Sequence, residues 1–232
     1  LAAPIAAALL AAPSAATAQA VRPYHPRIFL NAAGQRGIAP ATARSRCTSG
    51  AGPWARACRI AAPLPSSPPF QRNPPLTLIN NALRYLLYGE DVAINAVRDD
   101  VSRVGAAVDR GDESGQLLAN APRALHLAVA YDWLYDALPP SERSTMQSFL
   151  ESYADYAIAH EPRDVFSSEA YAQAATVGLV GLALASPADT PMTPAQRYIA
   201  YANARWRSAL LPAMGYTRGW WPEGPAWMNA YV

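Results

Sequence analysis

Apolar residues recur every three to four positions through most of the chain from Asn73 onward, while the strict alternation of a strand is nearly absent. Leu76, Ile79, Leu83, Leu86 and Leu87 mark one face of a helix that opens on Asn73 as N-cap, carries Pro74 in its first turn and closes at Gly89. The same period, broken by fresh caps, predicts helices over 90–108, 120–137, 140–159, 168–185 and 194–214. Leu138-Pro139-Pro140 ends one helix and begins the next, since a residue preceding proline avoids the helical region and proline suits a first turn. Ser167 or Ser168 reads as an N-cap, and Thr193-Pro194-Ala195-Gln196 as a capping box in which the Gln reaches back to the Thr backbone.

The expected fold class is therefore all-α, built from antiparallel helical hairpins joined by short Pro-rich turns, as an open solenoid or a closed α/α toroid. The stretch from Ala170 to Leu184 is apolar on more than one face, with Gly178 and Gly181 placed to let a neighbouring backbone come close. No repeat of fixed period is visible, which argues against the common solenoid families.

Ahead of the helices lie two other textures. Residues 1–20, LAAPIAAALLAAPSAATAQA, form a small apolar run ending in small-x-small triplets, which reads as the remnant of an export signal or as an Ala-rich leader. Without an initiator Met or a basic stretch before it, the numbering is expected to start inside a longer product, periplasmic or secreted. Residues 21–72, rich in Pro, Gly, Ala and Ser, read as a wrapping arm that precedes a helical domain over 73–232. Cys47 and Cys58 in this arm are the only cysteines; an exported chain favours a local disulfide between them, two separate buried thiols being the other reading.

Composition narrows the partners. With 232 residues, 51% of them hydrophobic and 16% charged, the chain can bury a substantial core. Its 19 basic and 17 acidic residues form no long run of either sign, so neither a nucleic-acid stripe nor a polybasic membrane patch is expected, and the leader is too short and Pro-broken to span a bilayer. His25, His126 and His160 share no ligand-like spacing; His126 reads as core, His160 as a partner of a helix end and His25 as an anchor of the arm. No metal, cofactor, phosphate loop or nucleophile elbow is indicated.

Candidate chemistry concentrates in Arg218-Gly219-Trp220-Trp221-Pro222-Glu223-Gly224-Pro225-Ala226-Trp227, followed by Tyr231, which gathers three of the six tryptophans around one carboxylate. Trp220, Trp221 and Trp227 suit stacking on a sugar ring, and the same residues would also serve as a hydrophobic plug. Glu223 has three readings: acceptor for the amides of its Gly/Pro turn, partner of substrate hydroxyls, or general acid. Tyr131 and Tyr135 share a helix face that would line a sugar channel or join the core, while Asp132 and Asp136 share another and call for outside partners such as Arg123 or Arg143.

Three segments together resemble a known family. His25-Pro26-Arg27-Ile28-Phe29-Leu30-Asn31, then Ala130-Tyr131-Asp132-Trp133-Leu134-Tyr135-Asp136 with Leu138-Pro139-Pro140-Ser141-Glu142-Arg143, and Trp221-Pro222-Glu223-Gly224-Pro225 look like the N-terminal toroid of heparinase II/III-like polysaccharide lyases, a group that includes alginate lyases. The resemblance implies part of an α/α toroid, a β-sandwich domain beyond the C-terminal end, and β-elimination across an acidic polysaccharide. It implies a Tyr shortly after Glu-Gly-Pro, for which Tyr231 is the candidate, with Glu223 as a second catalytic candidate and Arg218, Trp220, Trp221, Trp227, Tyr131 and Tyr135 as substrate contacts. It also implies an Asn or His near the start of a Gly/Ala-rich helix, and the matching stretch from Asp164 to Tyr171 has neither. A glycoside hydrolase on the same scaffold, pairing Glu223 with Asp164 or Glu169, and a non-catalytic carbohydrate-binding module are the competing expectations.

Overall fold

The computed structural model describes residues 24–28, 45, 74–108 and 121–217, and among these no strand occurs. The helices are α1 (Pro74–Tyr88), α2 (Asp91–Val108), α3 (Ala121–Leu134), α4 (Pro140–Ala159), α5 (Ser168–Leu184) and α6 (Pro194–Arg205). A five-residue π-helical turn, Trp206–Leu210, then leads directly into α7 (Leu211–Tyr216). Among the described residues no helix is long and apolar enough to cross a membrane.

The helices form two layers. α1 packs on α3 and α3 on α5, while α2 packs on α4 and α4 more lightly on α6, so consecutive hairpins stack side by side. Between the layers runs one apolar core, from Leu78 and Val97 through Leu127, Leu134, Met146 and Leu150 to Val177, Val180 and Tyr198. Burial of this kind stabilises by about 1.5–3 kcal/mol per large side chain. α3 holds a central place: Ala124, Leu127, Ala128, Val129 and Ala130 are all fully buried, so neighbours cover most of its circumference.

Local signals set most boundaries. Gly89 ends α1 at φ +69°, a conformation that side chains with a Cβ resist, and two residues then suffice to turn into α2. Pro140 opens α4, and the Ser167 hydroxyl caps α5 by accepting from the Ala170 N–H. Gly178 and Gly181 bring α5 against α6: a Cβ at Gly181 would lie 2.8 Å from Ile199 Cγ1 and 2.9 Å from the Ala195 carbonyl oxygen.

Three expectations need correction. α3 stops at Leu134 rather than 137: Ala137 donates three residues back to the Leu134 carbonyl, tightening the turn, and the Tyr135 carbonyl is taken by Arg143 Nη1 at 2.8 Å. The Thr193 hydroxyl makes no cap bond to α6; it donates to the Thr190 carbonyl at 2.9 Å, and so does the Thr193 N–H at 3.1 Å. The last helix is not uniform to 214. Pro212 has no N–H to give to Ser208 and its ring crowds that carbonyl, so the preceding turn widens and Leu211 donates to Trp206, five residues back.

Candidate functional site

The described residues carry two clusters with chemical character, one at each end of α5. At its C-terminal end, the last turn of α3 grips the arm. Asp132 is fully buried, and a carboxylate is tolerated there because both oxygens are met. Its Oδ2 accepts the backbone N–H groups of Arg27 and Ile28, each at 2.7 Å, and its Oδ1 accepts from His25 Nδ1 at 2.7 Å.

Arg27 fixes the tautomer of that histidine. Its Nη2 lies 2.9 Å from His25 Nε2, and a guanidinium only donates, so Nε2 is the acceptor and the ring proton sits on Nδ1. Arg27 Nη1 also donates to the carbonyls of Ala185 (2.6 Å) and Leu182 (3.3 Å), at the negative end of the α5 dipole. Burial lowers the Arg27 pKa, and the neighbouring Asp132 opposes that shift. Trp133 completes the clasp by donating from Nε1 to the Ile28 carbonyl at 2.9 Å.

Tyr131 and Tyr135 belong to this clasp. Tyr131 is buried in the core, its hydroxyl pKa pushed up to about 12, first by burial and then by Tyr135, against the pull of Arg143 and Arg27. His25 stacks on the Tyr135 ring at 4.0 Å and 9°, and the Arg143 guanidinium carbon stands 4.6 Å from the same ring centroid. Two groups so close cannot share one face, so both faces of Tyr135 are covered. The partners expected for the Asp pair also differ: Asp132 faces the arm rather than Arg123 or Arg143, and Asp136 is exposed. Two segments over a hundred residues apart pair here, which helix spacing alone does not reveal.

The second cluster lies where α5 begins and α7 ends. Asp164 Oδ1 accepts the Phe166 N–H at 2.9 Å, and the Ser167 hydroxyl donates to the Asp164 carbonyl at 2.9 Å, which shapes the turn into α5. Tyr171 sets its ring edge-on to Trp206 at 5.8 Å, and its hydroxyl reaches the Leu210 carbonyl of the π turn at 3.4 Å. Phe166 meets Tyr216, the last residue of α7, with ring centroids 6.2 Å apart. Arg218 follows two residues later. No role is expected from the sequence for Phe166, Trp206 or Tyr216, although Phe166 lies within the stretch from Asp164 to Tyr171 and Tyr216 stands two residues before Arg218.

Between α5 and α6 runs an apolar groove of about 380 Å³, floored by Ala174, Gly178 and Ala202 and walled by Leu179, Leu182 and Trp206, with Asn203 adding an amide. His126 is half-buried on α3, and burial lowers its pKa. His160 caps α4, its Nδ1 2.9 Å from the Tyr156 carbonyl and its ring stacked on Tyr156. Among the described residues no three His, Cys, Asp or Glu side chains gather as a metal site. Arg218, Trp220, Trp221, Glu223, Trp227 and Tyr231, together with Cys47 and Cys58, lie outside the described residues. Compared with models of known protein families and with curated proteins, the chain matches none.

Proposed function

We propose that this chain is the helical toroid portion of an exported lyase that cleaves uronic-acid polysaccharide by β-elimination, a β-sandwich domain completing the cleft. Tyr231 serves proton transfer, Trp220 and Trp221 stack on sugar rings, and Arg218 faces the uronate carboxylate. Glu223, between Pro222 and Gly224, holds the turn that presents them. In the reaction a base removes the C5 proton, the C4–O bond breaks as its electrons leave with oxygen, and an acid returns a proton to that oxygen.

The observation that carries this reading is the meeting of α5 and α7. The resemblance draws its substrate site from the segment opening α5 and from the segment after α7, and the Phe166–Tyr216 contact brings the described ends of the two together. Two further observations agree with it. The arm and the end of α3, two segments that carry the resemblance, interlock through Asp132, and the two-layered hairpins are of the kind an α/α toroid uses.

The test is the complete protein on soluble uronate polymers, followed by the ultraviolet absorbance of the unsaturated product. Absorbance is expected to rise with wild type and to slow at least about 100-fold with Tyr231→Phe, the usual scale for a lost proton-transfer group. No rise on any polymer refutes the reading, and new reducing ends without absorbance mark a hydrolase instead. One observation favours a second reading, a non-catalytic carbohydrate-binding module. Asp164 and Ser167 are bonded within their own turn, where the resemblance implies an Asn or His for the substrate. Polymer binding without turnover would identify that case.

A further inference from the structure

His25 uses both of its ring nitrogens in the clasp. Nδ1 carries the proton and donates to Asp132 Oδ1 at 2.7 Å, while Nε2 accepts from Arg27 Nη2 at 2.9 Å. A proton taken up by this ring therefore has one place to go, Nε2, and there it faces a guanidinium that can only donate. Two donors cannot share that gap. The His25–Asp132 bond survives the change as an imidazolium–carboxylate pair, whereas Arg27 loses an acceptor and gains a like charge beside it. The Arg27 side chain is 4% exposed, and a buried N–H left unpaired is costly. To reach water the guanidinium has to turn away and give up the Ala185 and Leu182 carbonyls at the end of α5.

The groups around the ring narrow the proton's destination. His25 faces Arg27 on the arm, Asp132 and the edge of the Tyr131 ring on α3, and the stacked ring of Tyr135 just after α3, with Arg143 of α4 beyond it. Asp189, after α5, acts on Arg27 through its charge. Carboxylates ordinarily titrate near about pH 4 and phenols near about pH 10, and burial moves the Tyr131 hydroxyl further up. Between about pH 5 and 8, imidazole is the side chain of this set that ordinarily changes charge.

We propose that the clasp is a proton-operated latch: protonation of His25 unfastens Arg27 from the C-terminal end of α5 and leaves the arm held to α3 through Asp132. The latch stands apart from the lyase reading, since every group in it belongs to the clasp.

The experiment compares urea unfolding of the full chain and its Arg27→Gln variant at pH 8 and pH 5, each also in a His25→Gln background. His25→Gln keeps an N–H for Asp132 and an acceptor for Arg27 but has no proton to gain. At pH 8, Arg27→Gln is expected to lower the folding equilibrium constant about 10- to 100-fold, the scale of hydrogen bonds made by a charged group. At pH 5 that loss is expected to shrink to about threefold, because Arg27 has already let go and His25 supplies the countercharge of Asp132. In the His25→Gln background the loss is expected to be the same at both pH values. An equal loss at pH 5 and pH 8 in the presence of His25 overturns the latch, as does a pH dependence that persists in the His25→Gln background. Should a variant fail to fold, nuclear magnetic resonance of the wild type decides. The Arg27 Nη hydrogens are expected to exchange with solvent faster as the His25 ring titrates, and exchange that stays unaltered through that titration refutes the proposal.

Discussion

Asp132→Asn is the sharpest test of the clasp, because it keeps the shape of the side chain and removes one acceptor and the charge. The carboxylate accepts three hydrogen bonds of 2.7 Å, two from backbone N–H groups and one from His25. An amide has only one oxygen. If that oxygen keeps the arm N–H groups, its NH2 faces His25 Nδ1, which must then become an acceptor; the ring proton moves to Nε2 and confronts Arg27 Nη2 at 2.9 Å. If the amide flips, its NH2 opposes two backbone donors. No arrangement satisfies all the groups, and the Arg27 guanidinium, 4% exposed, loses its buried countercharge. Breaking a buried pair in this way costs about 3–5 kcal/mol, a large part of the 5–15 kcal/mol that usually holds a protein folded. At about 2–4 °C per kcal/mol for a domain of this size, the melting temperature should fall by roughly 6–20 °C. Urea and thermal unfolding would measure this, with exposed Asp136→Asn as a control expected to stay within about 0.5 kcal/mol. A loss below about 1 kcal/mol, or equal to the control, refutes the clasp as a stabilising element.

Three further outcomes follow from the packing. Gly181→Ala should destabilise by about 1–3 kcal/mol, since its Cβ would sit 2.8 Å from Ile199 Cγ1 and 2.9 Å from the Ala195 carbonyl oxygen and the Ile199 nitrogen, whereas Gly215→Ala, with open space around it in α7, should be neutral or gain up to about 1 kcal/mol in urea unfolding. Gly89→Ala meets no neighbour but must hold φ +69°, so it should cost about 1–2 kcal/mol from backbone strain alone. The hydroxyls of Tyr131 and Tyr153 are pushed up to about 12, chiefly by burial, and those of Tyr171, Tyr198 and Tyr201 are raised as well. Above the unfolded tyrosine value of about 10 the unfolded chain binds fewer protons than the folded one, so stability should be full below pH 10 and decline between pH 10 and 12; an unchanged urea midpoint across that window, or the same slope in Tyr153→Phe, contradicts this.

The legible parts of the fold were those written in neighbouring residues. Pro140 and Ser167 announce their helix starts, and Gly89 its stop, because caps act within one turn of the chain. Gly178 and Gly181 foretold the close approach of α5 and α6 for the same reason: a missing side chain is a local fact. The π turn was harder, since Pro212 widens the turn that precedes it and leaves no mark on the apolar period. Thr193 makes no side-chain cap bond to α6, and its hydroxyl donates to the Thr190 carbonyl. The role of Asp132 was beyond local reading, its partners being over a hundred positions away, although His25 was rightly expected to anchor the arm. Tyr216 and Phe166 become a pair only when α5 and α7 are placed together.

The clasp also orders events in time. Its bonds span 107 positions from His25 to Asp132 and 158 from Arg27 to Ala185, so the full clasp closes only once α3 and α5 have both formed and met. Docking of the arm is therefore expected late in folding, and weakening it should quicken unfolding while leaving the refolding rate nearly untouched, which stopped-flow unfolding and refolding of Asp132→Asn would check. Arg27, tied at once to the ends of two helices, acts as the closing latch of the helix array and sets how long the assembled array persists.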